Sequence, residues 1–329
     1  MIRAAIVGVG RWGQNLVECT QGKTDKIHFT TGVARTPERA ASFAARYGLA
    51  LVDDYAKALA DPSIDAIVLA TPHTQHAEQV IAAARAGKHV FVDKPFALTR
   101  ASAEAAAKAC ADARRVLAAG FNWRYQPGLQ EIKRMLDDGR LGRLLHIEGN
   151  FNGPSVYRFP KEHWRQQREE GPAGGMAGRG VHVVDAMLYL AGPIDSVFAQ
   201  SARLTLDYGL DDTTSMLFKF KSGSSGYLGT FIATAECWRM QVFGSKGWAT
   251  VGSIPHLHTW SLTTCMVNAQ PTVIDYPQGS SERAELEGFA DAIEGRTPYA
   301  CPPEDAVHGV AVLEAIVESA RSGRREAIG

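Results

Sequence analysis

The chain has 329 residues, of which 45% are hydrophobic, with 35 basic and 35 acidic side chains. This length suits two domains of roughly 100–200 residues each rather than one. The balanced charge gives no overall field that favours nucleic acid or an anionic membrane, so neither is expected as a partner and a small molecule is expected instead.

Cysteine usage and apolar patterning narrow the class of protein further. The five cysteines include no Cys-x-x-Cys pair, which predicts neither a disulfide framework nor a metal site. The sequence runs from Met1 almost directly into an apolar segment, without the pattern of a secretion signal. Because no uninterrupted apolar stretch reaches the length of a transmembrane helix, we expect a cytoplasmic protein with no membrane partner.

Residues 1–120 alternate short apolar runs with alanine-rich helical stretches, the pattern of a parallel sheet with crossover helices. The predicted strands are Ile2–Val7, Ile27–Val33, Leu49–Val52, Ile64–Ala70, His89–Val92 and Val116–Gly120. The apolar spacing predicts helices over Pro37–Tyr47, His76–Ala86 and Arg100–Arg114. Six strands are the number in a complete dinucleotide-binding sheet, so this region is predicted to be a Rossmann domain.

From residue 121 the strands become longer and alternate, which predicts a second domain over residues 121–329. Its predicted strands are Leu144–Phe151, Val197–Leu206, Thr214–Phe220, Gly226–Ala233, Arg239–Phe243 and Trp248–Val251. Helices are predicted over Leu129–Leu136, Val181–Leu190, Glu282–Ile293 and Glu304–Ser322, and a long loop over Asn152–Gly175. These helices cannot cover so large a sheet, so one sheet face is expected to form the contact of a homodimer or homotetramer.

A glycine-rich turn, Gly8-Val9-Gly10-Arg11-Trp12-Gly13, follows the first predicted strand and opens a helix. In this context the first glycine permits the tight turn, the second lets the backbone approach a pyrophosphate, and the third packs helix on strand. The N-terminus of the helix then presents amide donors to phosphates. The turn predicts a dinucleotide site; the alternative is a glycine-rich loop that binds no ligand.

The end of the second predicted strand bears on the choice of cofactor. NAD-binding domains carry an acid there, about 20 residues beyond the glycine turn, for the ribose 2′-hydroxyl. This chain has Arg35 and Thr36 instead, a cation and a hydroxyl that suit a 2′-phosphate. NADP(H) is therefore the expected cofactor; the alternative is that Arg35 is solvated and that NAD(H) is accepted as well.

Three further motifs follow the glycine turn: Thr71-Pro72-His73-Thr74-Gln75-His76, Asp93-Lys94-Pro95 and Gly180-Val181-His182-Val183-Val184-Asp185. With them the chain resembles, over essentially its whole length, the Gfo/Idh/MocA oxidoreductase family. The resemblance implies a Rossmann domain with a doubly wound parallel sheet, followed by a C-terminal α/β domain with a large open, mostly antiparallel sheet. It also implies an enzyme that oxidises or reduces sugars, inositols or related alcohols with NAD(P).

The resemblance also implies roles for individual residues. Lys94 matches the family lysine that hydrogen-bonds the cofactor ribose and the reacting oxygen, with Asp93 as a conservative departure beside it. His182 matches the histidine on the helix that faces the nicotinamide. The other residues implied to lie along the cofactor are Thr71, Pro72, His73, His76, Asn122, Arg124 and Trp164.

One position departs from the family pattern. Many members have an aspartate four residues before the histidine, whereas this chain has Gly178. Asp185 follows His182 by three residues and so lies on the same helical face. Asp185 either orients the imidazole or, as we prefer, packs against or caps a neighbour.

Lys94 and His182 are the expected catalytic groups. Lys94 stabilises charge on the reacting oxygen as a fixed cation. His182 exchanges the proton, because imidazole titrates near neutral pH. The residues expected to face the substrate are Lys94, Arg124, Arg165, Arg179, His182 and Asp185.

Alternatives remain open for the substrate and for the class of function. Arg165, Arg168 and Arg179 favour an anionic substrate such as a uronate, unless they are solvated or paired with glutamates of the same loop. A dinucleotide-binding sensor or regulator without turnover is an alternative that the missing acid at Gly178 would suit. A dehydrogenase or reductase of an imine or a cyclic dihydrodiol is another.

Overall fold

The computed structural model describes residues 1–207, 209–253 and 261–329. These residues form two compact units. The first unit contains Met1–Asn122 and Ser280–Val307, and the second contains Trp123–Gly279 and His308–Gly329. The segment Ser280–Val307, which the sequence pattern assigns to the C-terminal domain, thus belongs to the first unit.

Within residues 1–122, all of which are described, six strands form one parallel sheet. They are β1 (Ile2–Val7), β2 (Ile27–Val33), β3 (Ala50–Val52), β4 (Ala66–Leu69), β5 (His89–Asp93) and β6 (Leu117–Gly120). The crossover helices are α1 (Arg11–Thr20), α2 (Pro37–Tyr47), α3 (Tyr55–Ala60), α4 (His76–Arg85) and α5 (Arg100–Asp112). The spatial order β3-β2-β1-β4-β5-β6 is doubly wound and confirms the predicted Rossmann sheet.

Local sequence explains these elements. The whole of β4 is apolar and buried, as expected for a central parallel strand covered by helices on both faces. Helix α2 begins at Pro37, where a missing N–H costs nothing, and ends at Tyr47. Its C-cap residue is Gly48, whose φ of 70° suits a glycine. The strand order reverses between β1 and β4, which places the ligand crevice of such folds at the carboxyl ends of these strands.

The second unit is built on a mostly antiparallel sheet, as predicted. Its described strands are β7 (Leu144–Asn152), β8 (Ile194–Ala202), β9 (Thr213–Phe220), β10 (Ser225–Phe231), β11 (Cys237–Gly244), β12 (Gly247–Ser253), β13 (Ser261–Met266), β14 (Thr272–Asp275) and β15 (Glu326–Ala327). Their order is β14-β13-β12-β11-β7-β10-β9-β8-β15, and β7 pairs with β10 in parallel. The unit also contains helices α6 (Pro127–Asp137) and α7 (Gly180–Ala191). Helix α7 approaches β7 closely at Gly149, where a Cβ would overlap the side chain of Val183.

One predicted strand differs from the observed strand by more than two residues at each end, and the reason is a buried carboxylate. The sequence pattern predicts Val197–Leu206, but β8 covers Ile194–Ala202. Beyond β8 the chain leaves the sheet because Asp212 accepts hydrogen bonds from consecutive backbone amides, those of Leu204, Thr205 and Leu206. These amides therefore do not pair with a neighbouring strand. Strands β13 and β14 were not predicted from the sequence.

Two helices close the chain, α8 (Ser281–Ile293) and α9 (Pro303–Ser322). Helix α8 buries Leu286 and Phe289, and the Phe289 ring lies 5.9 Å from that of Phe91 in β5. An apolar helical pattern predicts a buried face but not the sheet that the face covers, which is why α8 was assigned to the C-terminal domain. In the described part of the chain, no helix has both the length and the apolar character needed to cross a bilayer.

Candidate active site

Packing within the protein explains two of the three glycines in the turn between β1 and α1, but not the third. Gly8 has a φ of +92°, and a Cβ there would lie 2.6 Å from the carbonyl oxygen of Ala70. A Cβ at Gly13 would overlap the carbonyl oxygen of Gly8. At Gly10, by contrast, a Cβ would meet no described atom within 4 Å. Packing therefore requires the first and third glycines, and the second leaves open space beside the backbone.

The start of α1 fits a phosphate group. Its N-cap residue, Gly10, supplies no side-chain hydrogen bond to the helix, and the first turn contains no acidic residue. The first amides of a helix lack partners inside the helix and carry the positive end of its dipole. With the open space at Gly10, this arrangement suits the pyrophosphate of a dinucleotide.

Lys94 follows the last residue of β5 at the same edge of the sheet. Its side chain is buried, and its Nζ lies 5.9 Å from the centre of the Trp12 ring in the first turn of α1. Trp12 Nε1 is buried and has no hydrogen-bond partner among the described residues. The structure thus brings the ammonium group of the Asp93-Lys94-Pro95 motif to the glycine turn.

The loop after β4 carries Thr71, Pro72, His73 and His76. Thr71 Oγ1 donates to Gln79 Oε1 at 2.5 Å, which anchors the loop to α4. The buried His73 ring packs edge-on against His76, with 5.8 Å between ring centres. His76 is fully buried, and its ring nitrogens lie at the carbonyl oxygens of Pro95 and Thr71. His76 therefore contacts the backbone of two loops.

The end of β2 presents Arg35 and Thr36, both exposed. The guanidinium of Arg35 makes no hydrogen bond or ion pair within the described residues. Thr36 is the N-cap residue of α2, yet its hydroxyl makes no capping hydrogen bond. A cation and a hydroxyl are thus available beside a helix N-terminus, an arrangement that fits a phosphate monoester.

Asn122 ends the first unit and is bound to α8. Its Nδ2 donates to Ser281 Oγ at 2.9 Å, and the side chain is buried. Asn122 Oδ1 is buried and has no hydrogen-bond partner among the described residues. This side chain, implied by the family resemblance to line the cofactor, therefore keeps one acceptor available.

In the second unit, His182 lies in the first turn of α7, enclosed by aromatic rings. The Trp123 ring stacks on it with 5.5 Å between centres and an interplanar angle of 16°. Phe151 lies 6.0 Å from the imidazole, and Trp238 lies 4.8 Å from Trp123. Phe151 and Trp238 are direct cross-strand partners on β7 and β11, so the sheet fixes both.

A buried ion pair lies one turn further along α7. The Nε of Arg124 is 3.0 Å from each carboxylate oxygen of Asp185, and its second terminal nitrogen is 2.7 Å from Oδ1. Both side chains are 2% exposed. The arginine also lies over the ring of Tyr189 at 5.3 Å. The neighbour that Asp185 packs against is therefore Arg124, which the sequence analysis had expected to contact ligands.

The arginines that favoured an anionic substrate have protein partners. Arg179 donates to the carbonyl of Asn152 at 2.8 Å, lies over the Phe151 ring at 4.5 Å and approaches Glu236 at 3.5 Å. The two arginines of the long loop also have an aromatic and a carboxylate partner: Arg165 stacks on Trp164 at 4.3 Å, and Arg168 pairs with Asp211 at 2.9 Å. At Gly178, where the family resemblance implies an aspartate, a Cβ would meet no described atom within 4 Å.

Sequence reasoning missed Trp123, Phe151 and Trp238, the aromatic enclosure of His182. Trp123 stands between Asn122 and Arg124, both of which were singled out, and this position in the sequence was the available signal. Its full burial is seen only in the structure. The contribution of Phe151 and Trp238 depends on the register of β7 with β11, which no local pattern encodes.

A doubly wound sheet, a glycine turn suited to pyrophosphate and a lysine beside that turn define an oxidoreductase with a dinucleotide-binding Rossmann domain. Residues 2–121 match the family model described as the Gfo/Idh/MocA oxidoreductase family with an NAD-binding Rossmann fold. Residues 129–250 match the model of the Gfo/Idh/MocA C-terminal domain. The chain belongs to the Gfo/Idh/MocA family of NAD(P)-dependent oxidoreductases.

Individual relatives are similar over part or all of the chain. A levoglucosan dehydrogenase of Pseudarthrobacter phenanthrenivorans is 34% identical over 165 residues, 50% of this chain and 42% of that enzyme. An inositol 2-dehydrogenase of Rhizobium meliloti is 26% identical over 338 residues, 99% of each chain. Among solved structures, the aldose-aldose oxidoreductase of Caulobacter crescentus complexed with glycerol is 25% identical, with a TM-score of 0.89 and 99% of each chain covered.

Proposed function

We propose that the protein is an NADP(H)-dependent dehydrogenase or reductase of a sugar, an inositol or a related polyol or carbonyl compound. The observation that carries this proposal is the buried Lys94 at the end of β5, with its ammonium 5.9 Å from the Trp12 ring of the glycine turn. The names of the relatives support the substrate class, because levoglucosan, inositol and aldoses are all polyhydroxylated.

Two side chains have roles at the reacting carbon in this proposal. A bound nicotinamide supplies or accepts the hydride. Lys94 donates a hydrogen bond to the reacting oxygen and, as a fixed cation, stabilises alkoxide character there. His182 takes the proton during oxidation and returns it during reduction. The Trp123 ring stacks on one face of its imidazole and fixes the plane of the ring, and Phe151 packs beside it.

The activity is tested with purified protein, NADPH or NADP⁺, and a panel of polyols, aldoses and ketoses. Lys94→Ala should lower kcat by about 10²–10³-fold, the usual cost of removing one donor to a developing oxyanion. Lys108→Ala, which removes an exposed lysine of α5, is the matched control and should leave kcat unchanged. Cofactor binding with no turnover of any substrate, and no effect of Lys94→Ala, would contradict the proposal and indicate a dinucleotide sensor.

The preference for NADP(H) over NAD(H) rests on Arg35 and Thr36. Arg35→Ala should lower kcat/KM for NADP(H) by about 10–100-fold, since hydrogen bonds to charged groups contribute about 1.5–3 kcal/mol. The value for NAD(H) should stay the same. Arg46→Ala removes the same charge at the far end of α2 and is the control. Equal use of both cofactors by the unmodified protein would reject the preference without affecting the proposed reaction.

We also propose that the second unit carries the substrate contacts other than that of Lys94, and that it associates with a second copy of the chain. Phe198, Leu217 and Tyr227 form a direct cross-strand row over β8, β9 and β10. Alternation places this row on the face opposite Met216 and Leu228, which are buried. Leu217 is 57% exposed in the single chain. Light scattering should show a dimer or tetramer that Leu217→Glu weakens; a monomer at micromolar concentration would contradict this.

A further inference from the structure

His76 occupies an unusual position for a residue expected to contact a cofactor. It is the first residue of α4 and is 0% exposed. Its Nδ1 lies 2.8 Å from the carbonyl oxygen of Pro95, and its Nε2 lies 3.0 Å from the carbonyl oxygen of Thr71. These carbonyls belong to the loops that follow β5 and β4, which are neighbouring strands of the sheet.

In both contacts the carbonyl oxygen can only be the acceptor. The imidazole is therefore the donor in a hydrogen bond to either loop. The neutral ring carries one N–H for this purpose, at Nδ1 or at Nε2, and the imidazolium carries both.

Each carbonyl leads to a different part of the candidate site. Pro95 directly follows Lys94, and the next residue, Phe96, is fully buried, so His76 on one side and Phe96 on the other hold this loop. On the β4 side, the Ala70 and Thr71 backbone packs against Gly8, whose Cβ would lie 2.6 Å from the Ala70 oxygen. The ring of His76 therefore lies between the loop that carries Lys94 and the loop that packs on the glycine turn.

We propose that His76 is a positioning residue whose two ring nitrogens, one at the carbonyl oxygen of each loop, set the placement of Lys94 relative to the loop that carries Thr71. It is not a catalytic residue, since both ring nitrogens contact backbone. The functional consequence rests on the proposed function, because it assumes that the Thr71 loop borders a bound dinucleotide and that Lys94 contacts the reacting oxygen.

Two substitutions separate the two bonds. The side-chain nitrogen of Asn reaches about as far as His Nδ1, so His76→Asn keeps the donor to Pro95 and loses the donor to Thr71. The nitrogen of Gln reaches about as far as His Nε2, so His76→Gln keeps the donor to Thr71 and loses the donor to Pro95. His76→Leu loses both. His89→Asn is the matched control, because His89 starts β5 and accepts a hydrogen bond from the Val116 amide.

The His76 variants should differ in whether they impair NADPH binding or turnover. We expect His76→Gln to lower kcat by about 10–100-fold with a dissociation constant for NADPH close to that of the unmodified protein, since only Lys94 is displaced. His76→Asn should instead weaken NADPH binding by about tenfold and change kcat less. His76→Leu should show both losses if it folds. His89→Asn should change only thermal stability.

NADPH binding is followed by nicotinamide fluorescence, which needs no substrate. If the unmodified protein binds NADPH but turns over no substrate, the proposed function fails, and weaker binding by His76→Asn than by His76→Gln still supports the positioning role. Equal losses of kcat and NADPH affinity in the Asn and Gln variants, in parallel with equal losses of thermal stability, would overturn it. So would unchanged kinetics and binding in both.

Discussion

Lys94 and His182 are held by different kinds of interaction. Lys94 lies on a loop whose neighbours are backbone carbonyls, a glycine turn and the buried ring of His76, so its surroundings are fixed by close backbone approach and hydrogen bonds. His182 lies on a helix, stacked on the ring of Trp123 and packed against that of Phe151, and the ion-paired Asp185 lies on the same helix. Both arrangements join segments that are far apart in the chain, so they differ in the kind of contact and not in its sequence separation.

This difference has a consequence for tolerance to mutation. A loop held by directional bonds loses its geometry when one donor is removed, even if the fold persists. A helix residue enclosed by packed rings keeps its position until the packing itself fails, because packed cores resist small displacements. Substitutions around Lys94 should therefore change kinetics before stability, and substitutions around His182 should change stability first.

The largest effect, and so the strongest test of this comparison, is expected on removing one partner of the ion pair beside His182. Removing one partner of a buried pair leaves an uncompensated charge and costs about 3–5 kcal/mol. We expect Asp185→Asn and Arg124→Met each to lower the free energy of unfolding by about that amount, measured by urea denaturation. The double variant Arg124→Met/Asp185→Leu should recover part of the loss. A change below about 0.5 kcal/mol in either single variant would show that the pair does not hold this region.

The aromatic enclosure gives the next largest effect. Trp123→Leu removes the ring that stacks on His182 and leaves a cavity, which should cost about 3 kcal/mol. Trp123→Phe keeps an aromatic face and removes a buried N–H that has no partner among the described residues, so it should cost less. Equal losses of unfolding free energy in the two variants would argue that ring stacking has no role.

The smallest effect on stability, and the most informative for catalysis, is expected at Gly178. A side chain there meets no described atom, and an acid two residues before α7 complements the positive end of the helix. Gly178→Asp should therefore change stability by less than about 1 kcal/mol. It should also add an acidic limb to the pH profile of kcat. The neutral Gly178→Asn is the control, and identical profiles for the two variants would mean that the position has no access to the reacting proton.

The sequence predicted the first unit better than the second. The strands β1, β4 and β5 are short apolar runs bounded by polar turns, and their glycine and lysine motifs are contiguous, so fold and candidate residues could be read together. In the second unit, β13 and β14 escaped prediction, since β13 is rich in threonine and β14 is exposed along its length.

Partners could not be predicted where they come from distant segments. Arg124 and Asp185 are 61 residues apart, and each alone looked like a ligand-facing or capping group. The same limit applies to His76, whose motif matches the family loop but whose partners at Thr71 and Pro95 depend on how two loops fold against α4. Residue type and spacing indicate which groups are available, and the tertiary fold decides which of them are already occupied.

The carboxylate of Asp212 makes part of the second unit sensitive to acid. Burial by itself raises the pKa of this carboxyl, but the hydrogen bonds from the amides of Leu206, Thr205 and Leu204 outweigh burial and hold the pKa below its ordinary value. Because the folded-state pKa lies below the unfolded value of about 3.9, the stabilisation is fully present above that pH and is lost as the pH falls through the folded-state pKa. In strong acid the segment after β8 should therefore release its amides to exchange with solvent before the neighbouring strands do.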